Sequence, residues 1–360
     1  MSTTTSRVAV LHDTGKLSIE EFALPRVGDD DGLLRVEATG VCGTDTAAYR
    51  GVNPYYELPC VLGHELVGTV TELGDTAARR WGLAAGDRIV VEEYLPCGTC
   101  WSCLAGSYQM CTVPRYGGKS IHSGPGLYGG YADFLYLHPQ AIVHRVSADV
   151  PAELVQLYIP ISNGLDWVGS VGGLRAGGTA VIVGPGPHGQ ACVIGAREVG
   201  AGTVVVIGTE RDTARLEVAS ALGADHVLTH DAVEQVSEIT GGRLADVVVN
   251  AADSAAALDI ALAMAGERAT VIQVGVAKGG GGGGADSLVE ALNEKVLTLR
   301  GVRGRPSSAV PPALRLIESG RYPLERLCTG RYPIEQTEEA LTAASTVPGS
   351  IRCSVIPELS

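Results

Sequence analysis

Between residues 179 and 275 the chain passes through "TAVIVG", "TVVVIG", "ADVVVNAA" and "ATVIQVG", four short stretches of almost unbroken Val, Ile and Ala. Strands this apolar are buried on both faces, as in a parallel sheet. Between them lie helical patterns, "GQACVIGAREVGA" and "RDTARLEVASALGA", and strand alternating with helix means βαβ units in a doubly wound α/β domain. The first 150 residues have another texture. "RVAVL", "LLRVEATG", "LVGTVTELG", "DRIVVEE" and "YADFLYLH" are short runs broken by Gly, Pro and Asp, at the spacing of an all-β barrel or sandwich. At 360 residues the chain exceeds what one core usually holds. Two domains are expected: a β-rich one over 1–153, a doubly wound one over 154–300, and a return to the first over 301–360. The return begins with a helix at "AVPPALRLIESG", and the "GGGGGG" run at 279–284 reads as a flexible loop.

Charge and hydropathy narrow the function. A net charge of -13 argues against nucleic acid and anionic membranes, which reward clustered Lys and Arg. No apolar run approaches the roughly 18 residues that span a bilayer, and "MSTTTSRVAV" lacks the pattern of a signal peptide. The expected setting is the cytoplasm and the expected partner a small molecule.

Four of the nine cysteines, Cys97, Cys100, Cys103 and Cys111, fall within fifteen positions. Thiolates two residues apart turn readily onto one ion, and four of them close a tetrahedral structural zinc site, here in a lobe over 93–113. The competing readings are weaker. Disulfides across such short loops are strained, and a thioredoxin-like pair would open a helix inside a βαβ unit. Cys60, Cys192, Cys328 and Cys353 are scattered and read as core thiols.

"VIVGPGPHGQACVIGA" carries Gly184, Gly186 and Gly189, with Pro187 and His188 between, in G-x-G-x-x-G spacing directly after a strand and opening a helix. In that context the glycines let the backbone approach a dinucleotide pyrophosphate at the helix N-terminus. An acidic residue ending the next strand would favour NAD. Here Gly208 stands there, followed by Thr209, Glu210 and Arg211. Glycine, hydroxyl and guanidinium make room for a 2′-phosphate, so the reading leans to NADP; Glu210 keeps NAD open.

"ATGVCGTDTAAYRG" and "PCVLGHELVGTV" add Cys42, His64 and Glu65. Beside a cysteine cage and a dinucleotide fold, they suggest a second, open zinc site in which Cys42 thiolate and neutral His64 are ligands. Asp45 is placed to accept the other imidazole hydrogen and fix its tautomer. With "CGTD" at 42–45, "GHE" at 63–65, "GDRI" at 86–89, the cysteine lobe and "GPGPHG" at 184–189 in that order, the chain resembles the zinc-dependent medium-chain alcohol dehydrogenase family over nearly its whole length. The resemblance implies a GroES-like catalytic domain split around a Rossmann domain, catalytic and structural zinc, NADP or NAD, and a homo-oligomer. It implies reversible oxidation of an alcohol, with Thr44 taking the alcohol proton and Asn163 beside the nicotinamide.

Two positions depart from the family pattern. The usual third ligand falls on Ile159, which cannot bind a metal, so Glu65 is expected to complete the shell, with Asp166 remoter and facing solvent. The usual relay histidine falls on Ala47, leaving water or a residue such as Tyr49. These departures keep alive a reductase of activated alkenes or iminium ions with structural zinc alone, and, further off, a nucleotide-binding protein without turnover. Tyr55, Tyr56, Tyr116 and Trp167, read as pocket residues, hint at an apolar or aromatic alcohol.

Overall fold

The computed structural model describes residues 4–52, 56–113, 115–275 and 285–359; Tyr55 and the glycine run 279–284 lie outside them. The chain divides into two compact units, one of Met1–Tyr158 with Leu314–Ser360, the other Ile159–Ala313. The divisions fall somewhat later than the 153/154 and 300/301 boundaries expected from the sequence.

The first unit contains strands β1 (Thr5–Asp13), β2 (Lys16–Ala23), β3 (Gly32–Gly40), β4 (Cys60–Val61), β5 (Glu65–Leu73), β6 (Arg88–Val91), β7 (Phe134–Leu137) and β8 (Val143–Arg145). The second holds β9 (Thr179–Val183), β10 (Thr203–Ile207), β11 (His226–Leu228), β12 (Ala245–Asn250), β13 (Ala265–Gln273) and β14 (Thr298–Gly301), after which β15 (Cys328–Tyr332) and β16 (Arg352–Val355) belong to the first again.

In the first unit β2, β1 and β4 form a small sheet, and β15, β16, β3, β5, β6 and β8 a larger one in that order, with β7 also on β3. All these pairings are antiparallel except β15 with β16. Register is what matters for the site. Gly40, the last residue of β3, pairs directly with Glu65, the first of β5. Residues just beyond one and just before the other are therefore brought side by side.

The second unit is a six-stranded parallel sheet ordered β11-β10-β9-β12-β13-β14. Counted within the unit, that is 3-2-1-4-5-6, the Rossmann order. Val181, Ile182, Val205, Val206, Val248 and Val249 have no exposed surface, which is why these strands read as continuous apolar runs. The order reverses between β9 and β12, and ligands of such sheets bind at the carboxyl ends of the strands at that point. The helix after β9, Pro187–Val199, starts with proline at its first turn and ends on Gly200 at φ 87°, the preferred residues for those two positions.

Candidate active site

Cys42 caps the helix Gly43–Tyr49 just past β3. Its N–H donates to Asp45 Oδ2 at 3.0 Å, a reciprocal cap that fixes both residues. His64 stands just before β5, after Gly63. That glycine has φ +87°, and a Cβ there would lie 2.7 Å from the Tyr131 ring and 2.8 Å from Thr39, so only glycine fits. The turn and the register carry Cys42, His64 and Glu65 together, one potential ligand atom from each lying within 4.8 Å of the others.

Behind His64 sits a buried carboxylate. Asp45 Oδ1 lies 3.2 Å from His64 Nδ1, and Tyr131 donates its hydroxyl to Asp45 Oδ2 at 3.1 Å. His64 Nε2 is left toward the cluster, 3.5 Å from Thr44 Oγ1. Burial pushes the Asp45 carboxyl up, but His64, the Cys42 N–H and the Tyr131 hydroxyl hold it below its ordinary value. Burial pushes His64 down, and Asp45, with help from Cys42, brings it up to about 9. Burial pushes the Cys42 thiol up, while His64 and the charge of Arg352 draw it down to about 7. The pair thus favours thiolate beside imidazolium, a proton-sharing arrangement in which a cation can replace the proton.

Glu65 has a partner that sequence reading did not find. It forms a buried ion pair with Arg352 on β16. Arg352 also donates from Nε to Gln156 Oε1 and from Nη1 to the Val41 carbonyl, both at 3.1 Å. A lone arginine in the apolar run "SIRCSVI" was the available signal, because a charge in a buried strand requires a partner. Ile159 is buried and has only an alkyl side chain.

Several expectations are corrected. Asp166 is buried, not solvent-facing; burial raises its pKa, against Ser170 and Arg305. Tyr49 gives its hydroxyl to Glu338, which raises its pKa to about 12, so its proton is already committed. Tyr116 is a core residue, donating to the Tyr136 carbonyl and accepting from the His138 N–H, both at 2.9 Å. Trp167 is likewise buried, its indole N–H held by the Gly304 carbonyl at 2.9 Å. Of the two residues of the tyrosine dipeptide, Tyr55 lies outside the described residues; Tyr56 is within hydrogen-bonding reach of Thr44.

The four lobe cysteines also converge. Cys97 and Cys103 sulfurs are 3.9 Å apart, as are those of Cys100 and Cys111. A disulfide needs about 2.05 Å, whereas a tetrahedron of Zn–S bonds near 2.3 Å has edges of about 3.8 Å. All four are free thiols, and their spacing fits a zinc ion. The lobe is tied down by Tyr108, which donates to Glu92 Oε2 at 2.7 Å, while the other oxygen of Glu92 meets His144 on β8 at 2.7 Å.

In the second unit Gly184 has φ +99°, and a Cβ on Gly189 would strike the Gly184 carbonyl oxygen. Gly186 differs: nothing lies within 4 Å of where its Cβ would be. Packing therefore explains Gly189, while the open space at Gly186 is what a pyrophosphate needs at this helix N-terminus. His188 is half-buried, and loss of hydration draws its imidazole down to about 4. Its Nε2 accepts from Asn163 Nδ2 at 3.4 Å, and its ring lies 5.1 Å from that of Trp167. Asn163 Oδ1 is buried without a hydrogen-bond partner among the described residues. Beyond β10, Thr209 donates to Asp212 from both N and Oγ1, Gly208 is half-buried, and Glu210 and Arg211 are exposed.

Residues 28–151 match the model of the alcohol dehydrogenase GroES-like domain, and residues 187–319 that of zinc-binding dehydrogenases. The chain belongs to the zinc-dependent medium-chain alcohol dehydrogenase family. It is 38% identical to a probable alcohol dehydrogenase of Mycobacterium tuberculosis, over 93% of each chain. Identity to an erythritol/L-threitol dehydrogenase of Mycolicibacterium smegmatis is 30%, over 98% of this chain and 97% of that one. The crystal structure of an alcohol dehydrogenase from Thermotoga maritima superposes with a TM-score of 0.89 at 26% identity, covering 98% of this chain and all of the other. A zinc-binding dehydrogenase from Sinorhizobium meliloti bound to NADP gives 0.87 at 25%, covering 99% of this chain and 100% of that one. As a member of this dehydrogenase family the protein is an oxidoreductase. Among the described residues no helix is long and apolar enough to cross a membrane.

Proposed function

We propose that the protein interconverts an alcohol and its aldehyde or ketone by hydride transfer with NADP or NAD. In this reading Cys42, His64 and Glu65 hold a catalytic zinc, and Cys97, Cys100, Cys103 and Cys111 a structural one. The observation that carries it is the meeting of thiol, imidazole and carboxylate in one buried cluster, with Asp45 fixing the outward nitrogen of His64. When bound, zinc supplies a Lewis acid toward the substrate oxygen and the nicotinamide a hydride acceptor.

The chain's own residues do the rest. Asp45 holds the imidazole tautomer. Thr44, 3.5 Å from His64 Nε2, would accept the hydroxyl proton of the substrate as its own hydroxyl proton passes to water, the route that Ala47 leaves open to solvent. Glu65 would offer a carboxylate oxygen to the metal while its charge stays paired with Arg352. The backbone at Gly184, Gly186, Pro187, His188 and Gly189 receives the pyrophosphate. Gly208, Thr209 and Arg211 leave room for a 2′-phosphate, with Glu210 as the ribose partner if NAD binds. The unpartnered Asn163 Oδ1 is an acceptor for an amide of the cofactor.

One observation favours a second reading. Glu65 is already charge-paired with Arg352 and Ile159 offers no ligand atom, which suits a reductase of activated double bonds with the lobe zinc alone. Zinc analysis and a panel of primary, secondary and polyol alcohols, read by reduced-nicotinamide absorbance with each cofactor, separate the two. The proposal expects two zinc ions per chain, and a Cys42→Ala variant with one zinc and kcat/KM lowered at least about a thousandfold. Full activity in that variant would end the zinc mechanism.

A further inference from the structure

We propose that Arg115 reads an anionic oxygen group of the substrate, a carboxylate or a phosphate carried a few bonds from the reacting hydroxyl. The inference rests on the alcohol-oxidation reading above and adds the class of alcohol.

Arg115 lies just past the cysteine lobe and next to Tyr116, whose buried ring is fixed at its hydroxyl by Tyr136 and His138. The backbone on either side is also held: Tyr116 N–H donates to the Glu93 carbonyl at 2.9 Å, and Gly118 N–H to that of Arg115 at 3.1 Å. The guanidinium is therefore aimed by a rigid segment. Its Nη2 reaches the Tyr56 hydroxyl at 3.4 Å, and the group lies over the Tyr56 ring, 5.7 Å from its centre. Tyr56 is bonded in turn to Thr44, and Thr44 stands 3.5 Å from His64. Arg115 is thus linked through two side chains to the imidazole of the metal cluster.

What marks Arg115 as a ligand group is its incomplete bonding. Guanidinium offers five N–H donors in a planar fork. One of them meets Tyr56 at the long end of hydrogen-bond range, and Nε is buried without a partner among the described residues. The charged or ionisable groups facing it are Tyr56, Tyr94, Glu93 and Cys42. Glu93 is the one carboxylate among these, and it has further interactions of its own. Arg115 is half-buried, and a guanidinium whose Nε is shut off from water with its donor unmet is costly unless something completes it; a planar two-oxygen anion matches the fork. A purely apolar or aromatic alcohol, the substrate hinted at by the tyrosines and tryptophan, would leave those donors unmet.

The test compares matched pairs that differ in charge: lactate against 1,2-propanediol for carboxylate, and glycerol 3-phosphate against glycerol for phosphate. The native enzyme is expected to prefer the anionic member of at least one pair, and the pair that responds names the anion. Arg115→Gln should lower that preference roughly ten- to hundredfold, chiefly through KM, and Arg115→Lys, which keeps the charge, should retain part of it. Preference for the neutral member in both pairs, or equal losses on both members in both variants, would overturn the proposal. Calorimetric titration of the zinc-loaded protein with propionate and inorganic phosphate gives a reading without turnover. Binding of either probe that is lost in Arg115→Gln supports the proposal even if no alcohol is oxidised. No binding to the native protein, or equal binding in the variant, refutes it while leaving alcohol oxidation to be judged by the panel.

Discussion

The two cysteine-containing clusters of the first unit are built in opposite ways. The lobe draws its four sulfurs from one stretch, 97–111, and none of the four is buried. The Cys42 cluster is buried and draws on residues 42, 45, 64, 65, 131 and 352. A local cage is closed by its own ligands, and its surroundings add only anchors such as Tyr108 and Glu92. A buried cluster of mixed charge depends on distant groups to set protonation and position, because low-dielectric surroundings leave no water to do it. In the proposed reading the first is a device for holding a loop and the second one for tuning an ion.

That contrast is sharpest at Arg352. Breaking a buried ion pair strands its partner, at a cost of about 3–5 kcal/mol. Arg352→Met should lower the unfolding free energy by that order, measured by denaturant titration, and should weaken zinc at Cys42 while the lobe keeps its ion. Equal loss of both ions would break the comparison. Cys100→Ser should do the reverse, giving one zinc per chain with the Cys42 cluster still loaded, read by metal analysis of the Cys42→Ala and Cys100→Ser variants side by side.

A smaller effect tests burial in the second unit. His188 has a folded pKa of about 4 against 6.5 for the free side chain. The unfolded chain therefore binds the extra proton first as pH falls. Stability from this residue is complete above pH 6.5 and declines by about 1.4 kcal/mol per pH unit down to about 4. His188→Leu should flatten the stability profile in that window relative to the native protein. The smallest expected change is at the lobe's anchor. Tyr108→Phe removes one hydrogen bond to Glu92 and should cost about 1–2 kcal/mol without releasing zinc from either cluster.

Much of this architecture was legible in the chain. Strands such as "TAVIVG" lack a polar face, and burial on both sides is the only way to satisfy them; the structure makes them β9 and its neighbours in a parallel sheet. The cysteine spacing was equally plain, since its ligands are close in sequence. What the chain does not display is orientation. Tyr116 and Trp167 have the composition of pocket residues but are core groups with their polar tips engaged, and Asp166, in a polar position of the sequence, is buried. Tyr49, near enough in sequence to Ala47 to carry a proton, is tied instead to Glu338, almost the whole chain away. No local pattern records such partners.

The sequence by itself determined the classes of structure: periodicity set the sheets, glycine spacing the nucleotide turn, and cysteine spacing the cage, because each is an interaction among near neighbours. Only the tertiary structure decided what surrounds Cys42 and His64. The register that pairs Gly40 with Glu65, the arrival of Arg352 on a late strand, and the aim of Arg115 toward Tyr56 are long-range contacts. They fix charge states through burial and distance, which a linear pattern does not encode.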